Sequence, residues 1–145
     1  MTRVDFYITK EAGDRARPLL ACRLAAKAFS LKNWVHVHTA SSTEADQLDA
    51  LLWTFRDGSF VPHAQAGDPL LQDAATESCV VIGSGHEPAE RCQLMINLDQ
   101  AVPRFFSRME RVAEIIDADP ERRAAGRERY KFYKDRGYSV TTHNL

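Results

Sequence analysis

Apolar and polar residues alternate from Val4 to Ile8, which predicts a first strand running into a loop near Gly13. From Pro18 the period lengthens. Leu20, Leu24, Ala25, Ala28 and Leu31 recur at helical spacing, and proline suits a first helical turn. Trp34-Val35-His36-Val37-His38 is a short, β-branched run that predicts a second strand. Ser42 is the expected cap of a second helix, whose inward stripe is Ala45, Leu48, Leu51, Leu52 and Phe55. A chain that opens strand, helix, strand, helix predicts a mostly parallel sheet with right-handed crossovers and helices on its faces.

The stretch from Arg56 to Asp73 holds Gly58, Pro62, Gly67 and Pro69 and shows no periodicity, so a long loop is expected there. Cys79-Val80-Val81-Ile82 and Leu94-Met95-Ile96-Asn97 are continuous apolar runs, the pattern of strands buried on both faces. Met109 to Ile116 is another β-leaning run, after a turn at Pro103. Asp119-Pro120-Glu121 starts a last helix that ends at Arg136, before Gly137. There is no internal repeat, low-complexity tract or linker, and residues 1–145 are expected to form one domain.

Composition narrows the function classes. The 145 residues are 44% hydrophobic and 27% charged, values of an ordinary globular domain able to bury its own core. The formal net charge is −1, so electrostatic recognition must come from a local patch rather than from bulk charge. Cys22, Cys79 and Cys92 form no C-x-x-C pair and read as buried thiols of a reducing compartment. No apolar run is long enough to span a bilayer, and the N-terminus has no signal-like h-region. A cytoplasmic, unprocessed protein is expected, with no membrane contact.

Catalytic and cofactor motifs fail in turn. Gly83-Ser84-Gly85 follows a strand, but His86-Glu87-Pro88 comes next, without the Lys-Ser/Thr or third glycine of a phosphate loop; a turn between two strands is expected. His86-Glu87 lacks the C-x-x-C that a zinc deaminase needs. His36 and His38 share one strand face without a third ligand, so solvent-facing or hydrogen-bonded histidines are expected rather than a metal. No G-x-S-x-G marks a nucleophile. No catalytic residue, metal or cofactor is assigned.

Two surfaces do not look like core. At roughly 100° per residue, Trp53 lies on the polar side of the second helix, beside Asp46 and Asp49. Either the loop that follows covers it, or it anchors a partner, together with Phe60-Val61-Pro62-His63. The last helix carries seven cations from Arg122 to Arg136. Arg123, Arg127, Tyr130, Lys131 and Lys134 fall in one sector without a carboxylate. Glu128 flanks it, within reach of Arg129 or Arg123, and Ala125 and Phe132 are expected to face the sheet. Such a stripe is either a solvated face or a site for a ligand that is both anionic and hydrophobic. A single-stranded nucleic acid would use it as an electrostatic and stacking platform. A short acidic peptide fits its small size better.

With these anchors in their order and spacing, the chain resembles the chi subunit family of bacterial DNA polymerase III holoenzyme. The matching segments are Val4-Asp5-Phe6-Tyr7, Leu51-Leu52-Trp53, Ser59-Phe60-Val61-Pro62-His63 and Arg127-Glu128-Arg129-Tyr130-Lys131, followed by Tyr133 and Gly137. The resemblance implies a Rossmann-like three-layer α/β domain without catalytic activity, acting as an accessory of the clamp-loader assembly and nucleoid-associated through the replisome. It implies two partners: the psi subunit of the clamp loader, and the acidic, phenylalanine-ended C-terminal tail of single-stranded DNA-binding protein. By the resemblance, the tail would meet Arg123, Arg127, Tyr130 and Lys131, with Ile116 as an apolar wall. Psi would meet Trp53, Phe60, Val61, Pro62 and His63, a surface some members also use for a helicase-like repair protein. Gln65–Glu77 and Gly83–Arg91 match nothing in the family. Direct, tight nucleic-acid binding is not expected; a single-stranded nucleic-acid-binding module on the basic helix is the alternative.

Overall fold

The computed structural model describes residues 1–58, 60–72 and 79–145. Ser59 and residues 73–78, which include the last residue of the expected loop, lie outside the described residues. The elements are β1 (Arg3–Ile8), α1 (Ala16–Ser30), β2 (Trp34–His38), α2 (Ser42–Thr54), β3 (His63–Gln65), β4 (Val80–Gly83), β5 (Cys92–Asn97), β6 (Arg111–Ile116), α3 (Pro120–Asp135) and β7 (Ser139–Asn144), with 3-10 turns at Pro69–Gln72 and Phe106–Arg108. The sheet runs β3-β4-β2-β5-β6-β1-β7, and every pairing is parallel. The expected α/β, Rossmann-like three-layer fold is what forms, with a sheet that is parallel throughout.

Alternation along each strand divides the core in two. Val35, Val37, Val80, Ile82, Ile96 and Ile115 point to α1 and α2, where Leu20, Ala21, Ala25, Leu48 and Leu52 meet them. Val4, Phe6, Trp34, Val81, Met95, Val112 and Ile116 point to the other face, where Tyr133 of α3 packs. The central runs around residues 80 and 95 are buried on both faces, as their unbroken apolar sequence predicts.

Several expectations shift. The cap of α2 is Ser41, not Ser42: its side chain accepts from the Glu44 N–H at 3.2 Å, and the Glu44 carboxylate accepts from the Ala40 N–H at 3.1 Å. Leu31 is not on the inward stripe of α1; it stands at the C-cap and is exposed. The expected long loop contains the edge strand β3, whose Gln65 Nε2 donates to Asp46 Oδ1 at 2.8 Å. Gly83-Ser84-Gly85 does join two strands, but β2 lies between them in the sheet, so it opens a crossover rather than a hairpin. Gly83 packs closely on His36: an added Cβ would sit 3.0 Å from His36 Cε1. His36 and His38 are both buried rather than solvent-facing. His38 Nε2 lies 3.3 Å from Asp99 Oδ2, while neither ring nitrogen of His36 has a partner among the described residues.

Candidate functional site

The last helix starts as its sequence predicts. Asp119 caps α3 by accepting from the Arg122 N–H at 3.0 Å, Pro120 sits in its first turn, and Gly137 takes a positive φ of 80° after its end. The sheet-facing row is not the expected Ala125 and Phe132, which lie half-buried on its flank. It is Gly126, Arg129 and Tyr133. An arginine in that row could not be found from hydropathy, because its partner is a charged residue inside a strand. Arg129 Nε donates to Glu114 Oε1 at 2.8 Å, with the two side chains 5% and 0% exposed. Tyr133 Oη donates to Glu114 Oε2 at 2.7 Å, and Asn97 Nδ2 reaches both carboxylate oxygens at 3.0 Å. Burial pushes the Glu114 carboxyl above its ordinary range, against the pull of Arg129, Tyr133 and Asn97. Arg129 is therefore not available to Glu128.

At the start of α3, Arg122 clasps Asp117 with Nε and Nη2 at 2.9 and 2.7 Å. Burial alone would raise the Asp117 carboxyl, but Arg122 outweighs it and holds the group below the usual carboxylate range. These two ion pairs fix the helix against β6 and set where its outer stripe lies.

Gly126 brings the helix close to the sheet, since an added Cβ would overlap Ile116 Cδ1. Beside that contact a concavity of about 210 Å³ opens between α3, β1, β6 and β7. Phe6, Ile8 and Ile116 form its apolar floor; Arg123, Arg127 and Tyr130 form its helical rim. Tyr130 stands edge-on to Phe6, with centroids 5.3 Å apart, and carries Lys134 Nζ 5.9 Å from its ring centroid. Arg123 Nε donates to the Asp117 carbonyl at 3.1 Å, which orients its guanidinium. Neither Arg123 nor Arg127 has a carboxylate partner among the described residues. Four of the five residues named for this site thus surround one concavity. Lys131 is exposed on α3 and does not line it. Phe6 and Ile8 of β1 complete the floor; their alternation predicted a strand but not which ligand-facing wall it would form.

The second surface lies by the opposite edge strand. Trp53 and Phe60 are 58% and 65% exposed, with ring centroids 5.6 Å apart. Among the described residues, the loop packs beside Trp53 without covering it. Val61 is buried in the core and Pro62 is half-buried. The His63 ring packs edge-on against Trp53 at 4.7 Å; its Nδ1 lies 2.7 Å from the Val61 carbonyl, and its Nε2 faces Asp49 at 3.5 Å. Trp53, Phe60 and Pro62 therefore form the outer surface, supported from beneath by Val61 and the His63 side chain.

Other chemistry is quiet. Burial pushes the Cys22 thiol up to about 12 and the Cys92 thiol to about 11, so neither is a ready thiolate. Among the described residues, no group of three or more His, Cys, Asp or Glu is placed to hold a metal ion, and no helix is long and apolar enough to cross a membrane.

The domain is all-parallel α/β, with the concavity on α3 and the aromatic surface near opposite edges of its sheet. Comparison with known proteins gives it a family. The family described as "DNA polymerase III chi subunit, HolC" matches residues 1–141. The DNA polymerase III subunit chi of Pseudomonas aeruginosa is 38% identical over 145 residues, covering 100% of this chain and 98% of that one. The subunits chi of Haemophilus influenzae and Escherichia coli are 28% and 26% identical, each alignment covering at least 96% of both chains. Among solved structures, T4 UvsW is similar in fold, with a TM-score of 0.67 at 11% identity; the match covers 99% of this chain and 42% of that one. The chain belongs to the DNA polymerase III chi subunit family.

Proposed function

We propose that this chain is a non-catalytic bridge in the polymerase III clamp-loader assembly. Its aromatic surface binds psi, and its basic concavity captures the acidic C-terminal tail of single-stranded DNA-binding protein. The observation that carries this reading is the apolar floor of Phe6, Ile8 and Ile116 beneath two arginines without a carboxylate partner among the described residues. A terminal phenylalanine ring fits such a floor, and its α-carboxylate suits Arg127 at the rim. Arg123 and Lys131 meet the upstream aspartates. Tyr130 closes the side.

The spacing of the surfaces suits a bridge. From β3 to β1 the sheet takes five steps, roughly 24 Å at about 4.8 Å per strand, so both partners can bind together. The tail contacts are exposed ion pairs, which predicts an affinity on the order of micromolar that weakens with salt. Several tails on one single-stranded DNA-binding protein assembly compensate by avidity.

Affinity capture of partners tests the reading. Wild type retains both proteins, Trp53→Ala loses psi alone, and Arg127→Glu loses single-stranded DNA-binding protein alone. Both variants losing the same partner would refute two separate surfaces. A short single-stranded oligonucleotide binding more tightly than the tail peptide would favour the nucleic-acid module instead.

A further inference from the structure

A second concavity, distinct from both surfaces, follows from the topology. β1 leads into α1 on one face of the sheet, while its neighbour β6 leads into α3 on the other. A crevice therefore opens beyond the carboxyl ends of the strands, where open α/β sheets take their ligands. Its volume is about 490 Å³, larger than the concavity on α3 and within the range of small-molecule sites. Leu48, Leu51 and Leu98 give it an apolar wall.

Arg17 sits at its inner end, half-buried. Its Nη2 donates to the Leu98 carbonyl at 2.6 Å, its Nε is buried without an acceptor, and no carboxylate pairs with it among the described residues. The other charges facing the crevice are Asp14 and Arg15 from the β1–α1 loop, Glu44 from α2 and Arg122 from α3. Arg122 is already held by Asp117. Asp14, Arg15 and Glu44 are exposed, where solvent screens them, and Asp117 is taken by Arg122, so Arg17 is the half-buried charge there without a carboxylate of its own. Burial depresses the Arg17 pKa, and Arg122 adds to that, with Asp117 opposing. The positive end of the α1 dipole borders the same crevice, although Pro18 has no N–H and the Ala16 N–H already donates to the Gly13 carbonyl at 3.3 Å. Arg15 stands at the N-cap of α1 without a side-chain cap, and the first turn holds no acid.

We propose that this crevice binds a small organic phosphate, with the phosphoryl group on Arg17, beside the positive end of α1, and an apolar body on Leu48, Leu51 and Leu98. A phosphoryl group accepts from a guanidinium through more than one oxygen, and the positive end of a helix favours its charge. The apolar wall selects a ligand with a planar or hydrocarbon body over a bare ion.

Amide NMR titration of the full chain tests this with AMP, glucose 6-phosphate and inorganic phosphate. AMP is expected to give saturable shifts at Gly13, Arg15, Arg17 and Leu98, leaving Arg127 and Tyr130 unmoved, and to bind more tightly than the two probes that lack an apolar body. Arg17→Gln is expected to abolish the shifts. Glu44→Gln keeps the helix cap, because glutamine serves in the same capping position, and removes a negative charge from the rim; AMP should then bind roughly two- to five-fold more tightly. This second variant keeps the test decisive if Arg17→Gln fails to fold. No saturable shift at millimolar AMP, equal binding by folded Arg17→Gln, weaker binding by Glu44→Gln, or binding of inorganic phosphate as tight as AMP would each overturn the proposal.

Discussion

Arg129→Met removes the cation from the buried pair that ties α3 to β6. In the native protein Glu114 is fully buried and holds Arg129, Tyr133 and Asn97 as donors, and Arg129 also donates to the Gln100 carbonyl through Nη1 at 2.8 Å. Methionine fills much of the aliphatic volume but leaves the carboxylate without its counter-charge and the carbonyl without its donor. Breaking one side of a buried pair typically costs about 3–5 kcal/mol, a large part of the roughly 5–15 kcal/mol that holds a domain of this size together. At an m-value of about 2 kcal/mol/M in urea, a loss of about 4 kcal/mol lowers the unfolding midpoint by about 2 M. Replacing both partners, Arg129→Met with Glu114→Leu, removes the unpaired charge and leaves the Tyr133 hydroxyl, part of the Asn97 amide and the Gln100 carbonyl to satisfy. The double variant should therefore be more stable than Arg129→Met alone. Equilibrium urea unfolding followed by circular dichroism, with the m-value checked for constancy, gives the numbers. A single-variant loss below about 1 kcal/mol, within the range of an exposed pair, would refute the claim that this pair is desolvated and anchors the helix.

Two other predictions concern stability. Burial first, and then His38 and His86, hold the His36 pKa down at about 4 from 6.5. The unfolded chain takes up this proton at a higher pH than the folded one, so stability falls as pH drops from about 6.5 through about 4, by up to about 3 kcal/mol. His36→Leu should flatten that part of the pH profile in thermal unfolding; an unchanged slope would contradict it. Gly126→Ala gains helix propensity but forces Ile116 out of its place. Overpacking of about 1–3 kcal/mol against a gain of about 1 kcal/mol predicts a net loss of about 1 kcal/mol and weaker tail-peptide binding, because Ile116 is floor to the concavity; a variant that is more stable and binds as wild type would show the close approach to be unimportant.

Much of the fold was legible where burial is uniform. The alternation of Val4–Ile8, the span of Trp34–His38 and the Asp119-Pro120 start of α3 reappear in the structure. The edge strands β3 and β7 were missed because they are mostly half-buried or exposed and carry little hydrophobic pattern: Ser139–Asn144 has one aliphatic residue, Val140. The basic stripe of α3 was legible from helical angles alone, and three of its five residues, Arg123, Arg127 and Tyr130, meet Ile116 at one concavity. The inner row was not. Arg129 counted as one more surface cation because its carboxylate, Glu114, lies fifteen residues earlier in a strand that is otherwise apolar from Val112 to Ile116. Likewise the misplaced Trp53 signalled a surface, but only the packing separates its outer residues from Val61 and the His63 ring beneath.

Titration calorimetry with a synthetic acidic peptide ending in phenylalanine tests the bridge most directly. Wild type should bind one peptide per chain with an affinity on the order of micromolar that weakens as salt rises. Arg127→Glu should abolish that binding while Trp53→Ala leaves it intact. Equal affinity for Arg127→Glu and wild type would contradict the assignment of the concavity on α3 as the tail site.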